Sequence, residues 1–434
     1  MVSVWQAGAE LPHFDGLSGD METEVLIVGG GIAGLLCAYR LAEAGADCIL
    51  CEADRICSGI TKNTTAKITL QHGLVYHKLI REFDEEKARL YLEANAEAVA
   101  EYRALCKDID CDFEVRDSYV YSTDDREALK READALRRLG YAAELCDKVA
   151  LPVDTVGAVR VKEQAQFDPL KFLASICAGL RIYEHTKIRE IREGVAITER
   201  GRIRAKKIIV ATHFPFINKH GAYFLKMYQH RSYVLALEGA EKVGGMYVDE
   251  SKTGLSFRDY GNLLLLGGGS HRTGKQGGAW RELEKFTERH YKGARVKYRF
   301  ATQDCMTLDA VPYIGRYSEN TPDLFVATGF NKWGMTSSMV AAALLRDMVL
   351  GRENKYSKVF DPSRTILRPQ LALNAMESAV NLLTPTRRRC PHLGCALKWN
   401  PEERTWDCPC HGSRFTESGE LIDNPATGDI GGER

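Results

Sequence analysis

At 434 residues, with 44% hydrophobic and 27% charged side chains, the chain has a globular composition and the length of two or three domains. Its 59 basic residues balance 59 acidic ones, so the total charge gives no reason to expect nucleic acid or an anionic membrane as a partner. The first twenty residues lack a basic start followed by an apolar run, and no stretch reaches the about 18 apolar residues of a spanning helix. The expectation is a cytoplasmic protein with no membrane span.

Residues 24–28, EVLIV, form an apolar β-branched run that stops at glycines, and IAGLLCAYRLAEAG follows with helical periodicity. CILCE is a second strand, ending at Glu52. Strand, glycine turn, helix and strand make a βαβ unit. Residues 84–106 read as a long amphipathic helix, SYVYST as a strand, and DREALKREADALRRLG as a helix closed by Gly140. From Arg181 to Val210 the pattern is strands: RIYEHTKIREI, VAITER and KKIIVATH. Residues 229–270 alternate like strands, ending in NLLLLGGGS. GMTSSMVAAALLRDMVLG is a buried helix closed by Gly351, and LALNAMESAVNLL is a further helix. It leads through Arg387-Arg388-Arg389, read as a solvated loop, to the stretch CPHLGCALKWNPEERTWDCPCHGSRF at 390–415.

Gly29, Gly31 and Gly34 form G-x-G-x-x-G between the first strand and the first helix. The first glycine permits the tight turn, the second a close approach of pyrophosphate, and the third helix-on-strand packing. The helix N-terminus then faces the phosphates, and Glu52 is placed to accept from ribose hydroxyls. Three stretches favour FAD over NAD. The small-residue run ADRICSGITKNTTAK suits wrapping a flavin. IIVATHFP runs a strand into Ala211-Thr212. LFVATGFNKWGMTSS places Gly329 and Gly334 where a helix N-terminus would stabilise negative charge on the flavin.

On these motifs, from about Met21 to Pro362, the chain resembles the D-amino-acid oxidase (glycine/sarcosine oxidase) family of FAD enzymes; MTLDAVPYIG (306–315) matches that family's segment before its last strand. The resemblance implies an α/β chain: a Rossmann-like FAD-binding domain (1–85, 150–220 and 300–362) interleaved with an antiparallel-sheet α+β substrate domain (86–149 and 221–299). It also implies FAD contacts from Gly29, Gly31, Gly34, Glu52, Thr65 and Lys67. Ile188, on the strand HTKIREI, would meet the adenine, and Ala211 and Thr212 the dinucleotide. Gly329, Phe330, Gly334, Met335 and Thr336 would lie by the isoalloxazine. The family oxidises C–N bonds of amino acids and amines by hydride transfer to flavin. Arg231, Tyr233, Tyr260, His271 and Arg272 are candidates for the substrate pocket, an Arg pairing with a carboxylate.

Cys390-x-His392 and Cys408-x-x-His411 are two Cys/His pairs on two loops. Two thiolates and two imidazoles suit a Rieske [2Fe–2S] centre, and a zinc site uses the same set. The stretch resembles the Rieske pattern C-x-H-x-G-C…C-x-C-H-G-S throughout. That resemblance implies Cys390, His392, Cys408 and His411 as iron ligands and a disulfide between Cys395 and Cys410. Asn424-Pro425-Ala426 resembles the third, proline-containing loop, with Asn where Gly is usual, and Phe415 replaces a Tyr. The segment 363–389 reads as a linker with a helix, so 390–434 is expected to be a shortened cluster-binding subdomain. The whole chain thus resembles a fusion of the two modules. The expected function is oxidation of a small amine or amino acid, with the cluster relaying single electrons to an acceptor. A plain O2-using oxidase with a structural cluster and a non-catalytic redox sensor are the alternatives.

Overall fold

The computed structural model describes residues 2–250 and 254–431. Its first sheet has a parallel core in the order Leu324–Thr328, Arg202–Val210, Met21–Val28, Cys48–Cys51, Ile182–Tyr183, with Tyr313–Arg316 added antiparallel at one edge. Cys48–Cys51 is buried at every position, as expected of a strand covered on both faces. Helices Ile32–Glu43 and Gly334–Val349 pack on this sheet through Leu35, Leu36, Leu344 and Leu345, all fully buried. The register sets the site. Val28 stands opposite both Cys51 and Val210, and Val210 opposite Val326. The carboxyl ends of four parallel strands therefore open on one edge, where ligands of such sheets bind. Gly29, Glu52, Ala211 and Gly329 follow those ends.

A second sheet of nine strands is mixed, with the long antiparallel trio Arg295–Thr307, Met227–Glu238 and Leu263–Arg272 on one side. Gly157–Gln166, inside the 150–220 stretch expected in the nucleotide domain, pairs with Glu114–Ser122 in this sheet. Arg295–Thr307 likewise crosses residue 300 while pairing with Met227–Glu238 along its length. By sheet membership both strands belong with the second unit, because alternation marks a strand but not the sheet it joins. RIYEHTKIREI is not one strand either: His185, at φ 48°, turns the chain between Ile182–Tyr183 and Glu190–Arg192, and Ile188 lies in the irregular segment.

The C-terminal unit is a four-stranded antiparallel sheet: Lys398–Asn400, Thr405–Asp407, Arg414–Phe415 and Leu421–Asp423. Its own apolar centre is small, built from Cys390, Cys395, Leu397, Cys408, Cys410, Phe415 and Ala426. Between Gly351 and Arg389 the chain forms the helices Ser357–Phe360 and Pro369–Leu383 and no named strand. A core that small holds little stability alone, so its contacts with the rest of the chain matter.

Candidate functional site

The glycine turn is tight for two separate reasons. Gly29 has φ +112°, and a Cβ on it would lie 2.6 Å from the Ala211 carbonyl oxygen; a Cβ on Gly34 would lie 1.9 Å from the Gly29 carbonyl oxygen. The protein's own packing thus requires the first and third glycines. Gly31 differs: a Cβ there would meet only the Thr61 hydroxyl, at 3.2 Å, which accepts from the Ile32 amide at 3.0 Å. Its missing side chain leaves room for a ligand at the N-terminus of Ile32–Glu43, which fits a bound pyrophosphate. Glu52 Oε2 accepts from the Gly30 amide at 2.6 Å and Oε1 from the Asp54 amide at 3.0 Å. Burial pushes its carboxyl above the usual range against these amides. Thr65 and Lys67 already have protein partners: Lys67 Nζ donates to Ser256 Oγ and, at 3.4 Å, to Thr65 Oγ1. Burial, then the neighbouring Arg258, brings the Lys67 ammonium down to about 7.

The opposite wall is the loop before Gly334–Val349. Gly329 has φ +72°, and a Cβ there would strike Thr307 Cγ2 at 2.4 Å. Asn331 Oδ1 accepts from the Thr307 amide at 2.7 Å, the Tyr102 hydroxyl donates to the Met335 carbonyl at 3.0 Å, and Thr336 Oγ1 lies 2.9 Å from His72 Nε2. Phe330 packs against the core beside this loop. Asn331 and Lys332 adopt positive φ in succession, 49° and 74°. Lys332 Nζ reaches Ser232 Oγ and stands 3.6 Å from Asp304. Sequence reasoning missed Lys332 and Asp304; the only signal was a polar Asn-Lys pair between two glycines.

In the C-terminal unit the imidazoles of His392 and His411 lie 5.0 Å apart, edge to face. Their Nδ1 atoms are both buried with no hydrogen-bond partner. Burial holds both rings neutral, at about 4 for His392 and about 3 for His411, and neutral imidazole is the ligand form. The Cys390 thiol is pulled down to about 7 against its burial, by its contact with Cys408 first and then by the His392 amide, Ser413 and the Leu393 amide. Backbone amides of Cys410 and His411 are likewise aimed at the Cys408 sulfur. Two sulfurs served by amide donors, facing two orphaned imidazole nitrogens, fit a [2Fe–2S] cluster with two Cys and two His ligands. Cys395, Cys408 and Cys410 are also clustered. Cys395 and Cys410 are bonded to each other, which leaves them no part in the ligand set.

The cluster-binding loops are seated on the second sheet by its side chains. Arg272 donates to the carbonyls of Pro409 at 3.0 Å and Cys410 at 3.2 Å, Gln229 to that of His411 at 2.8 Å, and Gln303 to that of Gly412 at 2.9 Å. A Cβ on Gly412 would lie 2.5 Å from Gln229 Cβ. Beside this seat Glu403 is held by Arg231 in a two-pronged ion pair, by Arg414 at 2.8 Å and by the Tyr233 hydroxyl at 3.1 Å. His271 Nε2 completes the group, 3.0 Å from that hydroxyl. Burial would raise the Glu403 carboxyl, but Arg231 and Arg414 overrule it and hold it at about 2.

These contacts correct the expected pocket. Arg231, Tyr233 and Arg272 hold the C-terminal unit, His271 lies against Tyr233, and the Tyr260 hydroxyl sits 2.9 Å from both Asp112 Oδ2 and Asp168 Oδ2, sharing its one proton between them. A buried Arg or Tyr reads the same in a sequence whether it faces a substrate or another part of the chain. The outer edges of the two histidines are also covered: His392 Nε2 lies 3.0 Å from Asn218 Oδ1, and His411 packs on Phe224. The unusual Asn424 has a use here, since its amide donates to the carbonyls of Thr212 and Phe214, both at 2.6 Å.

Residues 24–348 match the family model described as FAD dependent oxidoreductase, and residues 356–431 match that of the Rieske [2Fe-2S] domain. The Rieske 2Fe-2S iron-sulfur protein YhfW of Bacillus subtilis is 36% identical over 97% of this chain and 95% of that protein. Gamma-glutamylputrescine oxidoreductase of Escherichia coli is 24% identical over 83% of this chain and 93% of that protein. The crystal structure of glycine oxidase from Geobacillus kaustophilus superposes with a TM-score of 0.67 at 20% identity, covering 79% of this chain and 99% of that one; this likeness establishes the shared fold. The chain belongs to the family of FAD-dependent oxidoreductases typified by D-amino-acid oxidase, and carries a Rieske [2Fe–2S] domain at its C-terminal end.

Proposed function

We propose that the chain oxidises the C–N bond of a small amine or amino acid and delivers the electrons singly to an acceptor. Bound FAD would supply the hydride acceptor, and the [2Fe–2S] cluster a one-electron carrier. The observation that carries the second half is the segment from Ala211 to Phe224. It leaves the dinucleotide edge at Ala211, meets Asn424 through Thr212 and Phe214, and reaches His392 through Asn218 and His411 through Phe224. One continuous stretch thus touches both cofactor sites, which favours the relay over a cluster with a structural role alone.

The C–N assignment rests on the names of the relatives above and on two charges beside the flavin loop. Asp304 and Lys332 offer an anion and a cation 3.6 Å apart, which matches the ammonium and carboxylate of an amino acid. The succession of positive φ at Asn331 and Lys332 supports a functional role, since such strain collects at binding sites. In this reading Lys332 orients the substrate carboxylate and Asp304 its ammonium. The test is anaerobic mixing with amine, amino-acid and 2-hydroxy-acid panels, following flavin and cluster absorbance together. An amine or amino acid is expected to bleach the flavin band first and the cluster band second. A cluster band that stays oxidised during full-speed turnover with a one-electron acceptor would refute the relay.

A further inference from the structure

The helix Pro369–Leu383 turns its polar face inward. Its buried residues are Asn374 and Asn381. Asn374 Oδ1 accepts from Arg272 at 2.9 Å, and the Asn381 carbonyl accepts from the Ala396 amide at 2.9 Å. The opposite face carries Leu373, Met376, Val380 and Leu383, spaced three, four and three residues apart, so they form one stripe. These side chains are 52%, 61%, 58% and 82% exposed. Leu367, before the helix, and Leu393, beside ligand His392, are exposed as well. Single exposed apolar residues are ordinary, but a continuous stripe marks a contact surface. Burying this face contributes nothing to the fold of the single chain.

We propose that this face binds an anionic lipid surface, with the helix lying in the plane of the headgroups. Charge is the first argument. Arg387, Arg388 and Arg389 follow the stripe directly, all exposed. Among the described residues no carboxylate pairs with them: Arg388 stacks on Trp406, and Arg389 donates to the carbonyls of Leu382, Thr384 and Gly394. The helix itself has one charged residue, Glu377, which is turned onto Lys275 and Asn381. Those partners leave the three positive charges unneutralised, and an apolar helix face flanked by such charge is the pattern of in-plane membrane binding. The second argument concerns the rival occupants. A specific protein interface needs about one hydrogen bond per 100–200 Å², and the outer stripe offers no polar group to make them. Lipid needs neither hydrogen bonds nor shape, only apolar depth and negative charge. The balanced total charge of the chain conceals this local excess.

The test is sedimentation of the holoprotein with vesicles of phosphatidylcholine, with and without phosphatidylglycerol, at low and high salt. The expected result is pelleting with the anionic vesicles only, weakened by salt. Met376→Glu combined with Val380→Glu is expected to weaken binding at least about tenfold, and Arg387→Ala about fivefold. All three positions are exposed, so unchanged flavin and cluster absorbance together will show that each variant is folded. Absence of pelleting with anionic vesicles, or pelleting that the double Glu variant leaves intact, would overturn the proposal. So would a wild-type dimer that the double variant converts to monomer while vesicles capture neither, which would make the stripe a self-association face.

Discussion

Replacing Glu403 by Gln tests how the Rieske unit is held. Glu403 lies buried between Arg231 and Arg414, themselves 2% and 6% exposed at the side chain. Its carboxyl is lowered from 4.5 to about 2. That depression corresponds to about 3 kcal/mol favouring the ionised, folded form. The independent expectation for removing one partner of a buried ion pair is about 3–5 kcal/mol, so the two agree. The sign follows from the depression: the stabilisation is fully present above about pH 4.5 and is lost as pH falls toward 2. The assay is urea unfolding followed separately by cluster and flavin absorbance. Glu403→Gln is expected to lower the cluster transition by about 3 kcal/mol and to flatten its pH dependence between 4.5 and 2, leaving flavin release little changed. Pairing it with Arg231→Met should recover part of the loss, since the bare buried guanidinium is what makes the single change severe. A cluster transition within about 0.5 kcal/mol of wild type would refute the role of this ion pair.

Gly31→Val is expected to yield folded protein without FAD, whereas Gly34→Val should disrupt folding itself; stoichiometric FAD in the first variant would contradict the assignment of the cradle. Cys390→Ser or Cys408→Ser should remove two irons and two sulfides per chain and keep FAD, and finding one zinc with no sulfide in the wild type would reverse the reading of the metal. Lys332→Met should raise KM for carboxylate-bearing substrates more than for simple amines, and an equal effect on both would detach Lys332 from carboxylate recognition. Lys67, lowered from 10.5 to about 7, binds its proton more weakly folded than unfolded. Stability of the apoprotein should therefore rise with pH from about 7 to 10.5, and Lys67→Met should remove that rise in thermal unfolding curves.

The nucleotide half was legible because its constraints are local. A glycine turn, a strand end and a helix start lie within thirty residues of one another; Gly29 and Gly34 are packed too tightly for a side chain, and Glu52 accepts from the Gly30 amide of that turn. The cysteine stretch was legible for the same reason: its pairs sit on two loops close in sequence. The pocket was not, because Arg231 and Glu403 are 172 residues apart, and no local pattern announces such a partnership. The exposed stripe was also concealed, since LALNAMESAVNLL reads as a helix without disclosing which face is turned inward. Asn374 and Asn381, not the leucines, make the inner contacts.

The way the Rieske unit is seated also dictates an order of assembly. Its docking bonds join residues 109 to 212 positions apart. Gln229 and Gln303 present their amides side by side only once Met227–Glu238 and Arg295–Thr307 have paired. The seat is therefore a product of the finished second sheet, and closing such long loops follows local structure. On the ribosome residues 390–431 emerge after everything they rest upon. Docking is thus the closing event of folding, and a chain cut off before residue 390 would leave Arg231, without Glu403, as an uncompensated cation in the face the Rieske unit covers.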